Sequence, residues 1–237
     1  MDPRLQTNVM TRTRDEAVID EGLRAYMLRV YNYMAMGLAV TGGVAFMVAS
    51  SPTLMQAIFG TPLMWVAILA PLAMVFFLSF RIHKMSPGTA QAVFWIYAAL
   101  NGVMFSTIFL AYTSTSIARV FFITASMFAA MSLYGYTTKK DLSGWGSFLF
   151  MGLIGIIVAM IVNLFLASSA LHFAISVIGV LVFTGLTAYD TQQIKQMYVE
   201  GDEAGTATKK AVMGALRLYL DFINLFLMLL RLFGSRE

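Results

Sequence analysis

The chain has 237 residues, of which 59% are hydrophobic and 12% charged, with a net charge of +4. An ordinary soluble domain carries about twice that share of charge, so this composition and a mean hydropathy of +0.76 exclude one and place the chain among polytopic membrane proteins. Cysteine is absent, which excludes disulfides and thiolate metal sites. Most basic residues stand beside apolar segments, so they are read as topology signals and not as a nucleic-acid surface.

In chain order, residues 1–30 come first and alternate Arg with Asp or Glu. They lack an apolar core, so no cleavable signal peptide is expected and the first span acts as its own signal. This stretch is expected to be a cytoplasmic tail preceding one transmembrane domain at 31–237. Seven apolar segments are long enough to cross a bilayer, near 31–50, 62–80, 90–112, 117–136, 146–167, 171–190 and 211–233. Continuous apolar runs of this length predict helices and not barrel strands, so the fold class is all-α. Pro71 is expected to bend the second span. Gly37, Gly42, Gly152 and Gly155 are expected to let helices approach closely. Trp65, Trp95 and Trp145 fall near span starts, as interfacial anchors do.

Basic residues fall on alternate connections. Arg4, Arg12, Arg14, Arg24 and Arg29 precede the first span, and 51–61 has none. Arg81 and Lys84 follow the second span, Lys139 and Lys140 the fourth, and Lys195, Lys209 and Lys210 the sixth. The positive-inside rule then predicts a cytoplasmic N-terminus and, with seven spans, an external C-terminus. Arg119, Arg231 and Arg236 run against this pattern, and a re-entrant last segment is the alternative.

Two acids interrupt the apolar runs. Asp190 ends the sixth segment and Asp221 lies inside the seventh. A charge within a span costs about 2.5–3.5 kcal/mol on insertion scales, so such a residue is paired, wetted or functional. Counting from 211 puts Asp221 about 15 Å into its span, deeper than Asp190. If Arg217 snorkels to the boundary, Asp221 is only about 6 Å deeper than that level, and the two acids can meet. Two plainer readings stand beside this one. Asp190 can be a solvated helix end, and Arg217 can pair with Asp221 four residues on. Asn224 shares that face and is a candidate hydrogen-bond partner for Asp221. Asn101 and Asn163 are expected to join helices. His83 and His172 are far apart and suggest no metal site.

Several stretches together resemble the Bax inhibitor-1 family, in its bacterial branch. One runs from Thr124-Ala125-Ser126 to Met131-Ser132-Leu133-Tyr134-Gly135-Tyr136-Thr137-Thr138-Lys139-Lys140-Asp141-Leu142. The others are 184–195 and 218–226. The resemblance implies seven helices, six arranged around the seventh, in a bacterial inner membrane. It further implies a pH-sensitive leak of calcium ions down their gradient, with Asp190 and Asp221 as a di-aspartyl proton sensor and gate. An arginine of the second helix is implied nearby, and Arg81 is the candidate; Arg217 is the second possible ion-pair partner.

The physical logic of such a gate is simple. Calcium takes several oxygen ligands, so two carboxylates make a weak, transient site suited to passage. Two adjacent carboxylates resist double ionisation, and one shared proton ties the last two helices together. No resident cofactor is expected; the expected partners are the bilayer, calcium ions and other membrane proteins. The alternative is a non-transporting regulator that binds membrane proteins, as a protease modulator or a stress or cell-death regulator, with residues 1–20 as docking segment. Enzymatic activity is not expected. Intramembrane aspartyl proteases need Gly-x-Gly-Asp where this chain has Leu218-Tyr219-Leu220-Asp221, and a Pro-Ala-Leu element where no proline follows Pro87. A retinal pump needs a lysine in the last helix, and none follows Lys210.

Overall fold

A computed structural model describes residues 3–236, with side chains described from residue 21 onward. Its helices are α1 (Pro3–Ala49), α2 (Pro52–Phe59), α3 (Leu63–Arg81), α4 (Pro87–Phe105), α5 (Ile108–Ala111), α6 (Ser114–Thr137), α7 (Ser143–Leu166), α8 (Ser169–Gln196) and α9 (Ala204–Phe233). A 3-10 turn, Ile82–Lys84, prolongs α3. Seven helices are long and apolar enough to cross a membrane. The chain is a multi-pass, all-α membrane protein.

Local chemistry sets the helix boundaries. Ser51 and Ser86 cap α2 and α4 by accepting from the Leu54 and Thr89 amides, each with proline at the next position, where a missing amide is harmless. Thr113 and Ser168 cap α6 and α8 in the same way. α7 stops at Ala167, which takes φ 47. Pro71 sits buried within an uninterrupted α3.

Two spans are longer than hydropathy suggested, and Tyr26, Met27 and Val30, ahead of the first apolar segment, are already buried in the bundle. α8 continues six residues beyond Asp190, and α9 begins at Ala204 and not at 211. In each case polar residues stay helical because neighbouring segments bond or cover them.

The last helix forms the centre. In its most apolar window 67% of residues are buried, against 11% for α7. α8, α1, α6 and α4 pack along α9, while α3 lies on α4 and α7 lies on α8. Tyr219, fully buried, packs edge-on against Phe94 and Tyr97. Its hydroxyl donates to Thr41 Oγ1 at 2.7 Å, since the single Thr41 hydrogen goes to the Ala98 carbonyl at 2.8 Å. α1, α4 and α9 are thereby locked at one level. Side chains such as Phe122, Leu164 and Phe165 remain exposed on the outside, as a lipid-facing surface requires.

Two of the four expected glycine contacts form. A Cβ at Gly37 would press on Phe94 at 2.9 Å, and one at Gly152 on Val182 at 3.0 Å. Gly42 and Gly155 face open space, so they are not contact points. Closer approaches occur at Gly135 against the Ala188 backbone and at Gly102 against the Thr41 carbonyl (2.7 Å). Asn101 and Asn163 do not join helices: Asn101 donates to Tyr97 O of its own helix, and Asn163 accepts from Ser168 N at the following turn.

One end of the bundle gathers the 3-10 turn, the α6–α7 connection and the α8–α9 connection; Lys209 Nζ donates to His83 O there at 3.4 Å. With Lys84, Lys139, Lys140 and Lys195 nearby in sequence, it is the basic end. The opposite end holds the C-terminal tail, where Thr113 N donates to Ser235 O at 3.1 Å and Ser235 N to Ser116 Oγ at 2.8 Å. α9 therefore runs from one end to the other as 30 continuous residues, and a re-entrant last segment is ruled out.

Candidate carboxylate site

The pairing of α8 with α9 brings Asp190 and Asp221 together. Asp221 is 4% exposed, and the Asp190 side chain 17%. The two carboxyl groups are hydrogen-bond neighbours. Asp221 Oδ2 is sealed from solvent, and no protein N–H or O–H among the described residues reaches it. A buried oxygen without a donor is expensive, about 1–3 kcal/mol and more for a charged group. A proton carried by one carboxyl and accepted by the other removes that deficit.

The arginine at the site is Arg217. Its Nη1 lies 3.9 Å from Asp190 Oδ1, and the side chain is 44% exposed. The pair thus crosses from α9 to α8; the ion pair within α9, Arg217 to Asp221, does not form. Nor is Asp190 a freely solvated helix end. Arg81 ends α3 as an exposed residue, and no hydrogen bond or ion pair joins it to either acid among the described residues. α3 makes its main helix contacts with α4, and Arg217 is the arginine placed beside the acids. The expectation for Asn224 is corrected, since its Nδ2 donates to Leu220 O at 2.8 Å and not to Asp221. It does help line a cleft of about 490 Å³ between α7, α8 and α9 that contains both acids and Arg217.

The depth problem resolves through the pairing of α8 with α9. α8 continues six residues past Asp190 and packs along α9, which sets the two acids at one level of the bundle in a shared cleft. His83 lies at the basic end and His172 in the first turn of α8, at the other end. Among the described residues no group of three His, Cys, Asp or Glu side chains could hold a metal ion. Two acids fall short of the six to eight oxygens calcium takes, so the pair alone does not complete a calcium coordination shell.

The profile of the family described as "Inhibitor of apoptosis-promoting Bax1" matches residues 23–237. The chain belongs to the Bax inhibitor-1 family. Among curated relatives, the inner membrane protein YbhL of Escherichia coli (strain K12) is 52% identical over 219 residues, covering 91% of this chain and 94% of YbhL. A Rickettsia prowazekii protein is 49% identical over 231 residues, 98% of each chain. A Caulobacter vibrioides protein is 47% identical over 235 residues, 94% of each.

Two of the stretches that mark the family in this chain turn out to be one structural device. Gln192, one helical position beyond Thr191, accepts from the Leu142 amide and donates to the Lys140 carbonyl, each at 2.8 Å. Lys195 Nζ donates to the Tyr136 carbonyl at 2.9 Å. On the next face, Tyr31, Ser132 and Thr191 form a hydroxyl chain across α1, α6 and α8, with spacings of 2.6 and 3.0 Å. Thr191 ends it by donating to Thr187 O at 2.7 Å. The last turns of α8 are thus stapled to the α6–α7 connection directly beyond Asp190. Reading the residues one at a time missed Gln192, Thr191 and Ser132 as members of the site. The available signal was that apolar helices carry these polar groups in the same two stretches.

Proposed function

We propose that this protein is a pH-sensitive leak for calcium ions, gated by one proton shared between Asp190 and Asp221. The observation that carries this reading is the sealed, donorless Asp221 Oδ2 against the Asp190 carboxyl. With one proton, the pair is a hydrogen bond that clamps α9 to α8. Without it, two anions at about 4 Å repel by roughly 4 kcal/mol at an effective dielectric near 20. Arg217 offsets part of that repulsion from the Asp190 side only. Separation of the two helices then widens the cleft, and the freed oxygens offer a passing Ca2+ two anionic ligands. Conduction accordingly rises as pH rises. The protein acts as a passive pathway and not as an enzyme, in a bacterial inner membrane with its N-terminus in the cytoplasm. YbhL of Escherichia coli is an inner membrane protein, which supports that location.

The test uses proteoliposomes containing a calcium dye. The wild-type protein is expected to leak faster at pH 8 than at pH 6. Asp190→Asn combined with Asp221→Asn is expected to flatten that profile. An unchanged profile in the double variant overturns the sensor.

A further inference from the structure

A second cleft, of about 530 Å³, lies on the other side of Arg217, between the α3 end and the α8–α9 seam. Ser79, His83, Gln193 and Met197 are among its lining residues. It opens at the basic end, because His83 belongs to the 3-10 turn and Met197 directly follows α8. Arg217 and Leu220 belong to the walls of both clefts. They are the septum between the outer cleft and the one holding the acids. Leu220 is apolar and half-buried; Arg217 is long, half-exposed and held to Asp190 only at 3.9 Å, the limit of an ion pair.

We infer that the outer cleft is the aqueous vestibule through which cations reach the carboxyl pair, and that Arg217 is its selectivity-determining residue. The Ser79 hydroxyl, the Gln193 amide and the His83 imidazole give water something to bond, unlike the lipid-facing walls elsewhere. A fixed positive charge at the septum acts on a divalent ion twice as strongly as on a monovalent one. At about 8 Å in a water-like dielectric, removing it is worth about fivefold for a divalent cation and about twofold for a monovalent one. Arg217 therefore throttles calcium more than sodium or potassium. A flexible guanidinium can also swing from Asp190 toward the vestibule, which joins the two clefts when the acids part. The cargo in this inference rests on the calcium reading above; the water path and its charge filter do not.

The natural absence of cysteine allows single thiols to report on both clefts without a background. Ser79→Cys and Asn224→Cys place a thiol in the outer and inner cleft, at positions whose side chains hold no other helix. Membrane-impermeant anionic and cationic methanethiosulfonates are applied to reconstituted protein with Arg217 or with Arg217→Gln. The Ser79→Cys thiol is expected to react from the basic end. The Asn224→Cys thiol is expected to react more slowly, and Arg217→Gln to raise its rate with the cationic reagent about fivefold relative to the anionic one. Arg217→Lys is expected to keep the wild-type ratio. In parallel, Arg217→Gln is expected to raise calcium flux about fivefold and monovalent flux about twofold. An unreactive Ser79→Cys thiol, or a reagent ratio unmoved by Arg217→Gln, overturns the vestibule whatever the flux. A shifted ratio with no calcium flux in any variant leaves the vestibule standing and overturns the calcium reading.

Discussion

Asp221 and Gln192 are both buried polar side chains in a membrane helix, yet they solve the same problem differently. Gln192 is satisfied by main chain at both ends of its amide, so it is structural. Gln192→Leu keeps the approximate volume and leaves the Leu142 amide and the Lys140 carbonyl without partners. A loss of about 1–3 kcal/mol is expected, read as a lower Tm in detergent. Asp221 has no main-chain partner for Oδ2, which leaves that oxygen available for the proton sharing proposed above. Outside the membrane, Asp141 offers a titration with a defined sign. The Ser143 amide, 2.9 Å from its Oδ1, holds the carboxyl below the usual aspartate range. A depressed folded value stabilises the start of α7 above the ordinary Asp value of about 3.9, and that contribution is lost as pH falls through the folded value. Carbon-13 NMR is expected to show Asp141 titrating below an unstructured aspartate, and Ser143→Pro to abolish the difference. At this scale the two acids and Arg217 were legible, because a charge in an apolar run stands out. The placing of Arg217 beside Asp190 was not, because it depends on how α8 and α9 are rotated against each other.

Helix contacts follow small residues, but only half of the ones singled out. Gly135 lets α6 reach the α8 backbone at Ala188, immediately before the Tyr189-Asp190 pair. Gly155 faces open space on α7. Gly135→Ala is expected to force α6 and α8 apart and lower stability by about 1–3 kcal/mol. Gly155→Ala is expected to be neutral or stabilising by a fraction of the ~1 kcal/mol difference in helix propensity. Thermal unfolding of the two variants side by side checks the contrast. A glycine in an apolar run announces that a close approach is possible; it does not say from which direction. The same ambiguity hid the extent of α8, whose last turns hold Gln192 and Lys195. Their polarity suggested a helix entering water, whereas the α6–α7 connection takes their hydrogen bonds.

Seven spans with the α6–α7 connection and the C-terminal tail at opposite ends set a topology that can be tested as a whole. With the basic end facing the cytoplasm, alkaline phosphatase fused after residue 236 is expected to be active in bacteria. The same enzyme fused after Thr138 is expected to be inactive. The reverse result inverts the orientation and turns the vestibule outward. The number of spans, their helical nature, the alternation of basic connections and the presence of two misplaced acids were all determined by the sequence alone. Each of these depends on the transfer of a local stretch from water to lipid, which adds up residue by residue along the chain. The family resemblance already implied a central last helix; only the tertiary structure decided that Arg217 lies beside Asp190 and that one oxygen of Asp221 is sealed against its neighbour. Those outcomes depend on how helices rotate and slide against one another, and hydropathy is indifferent to rotation once a segment is apolar all round.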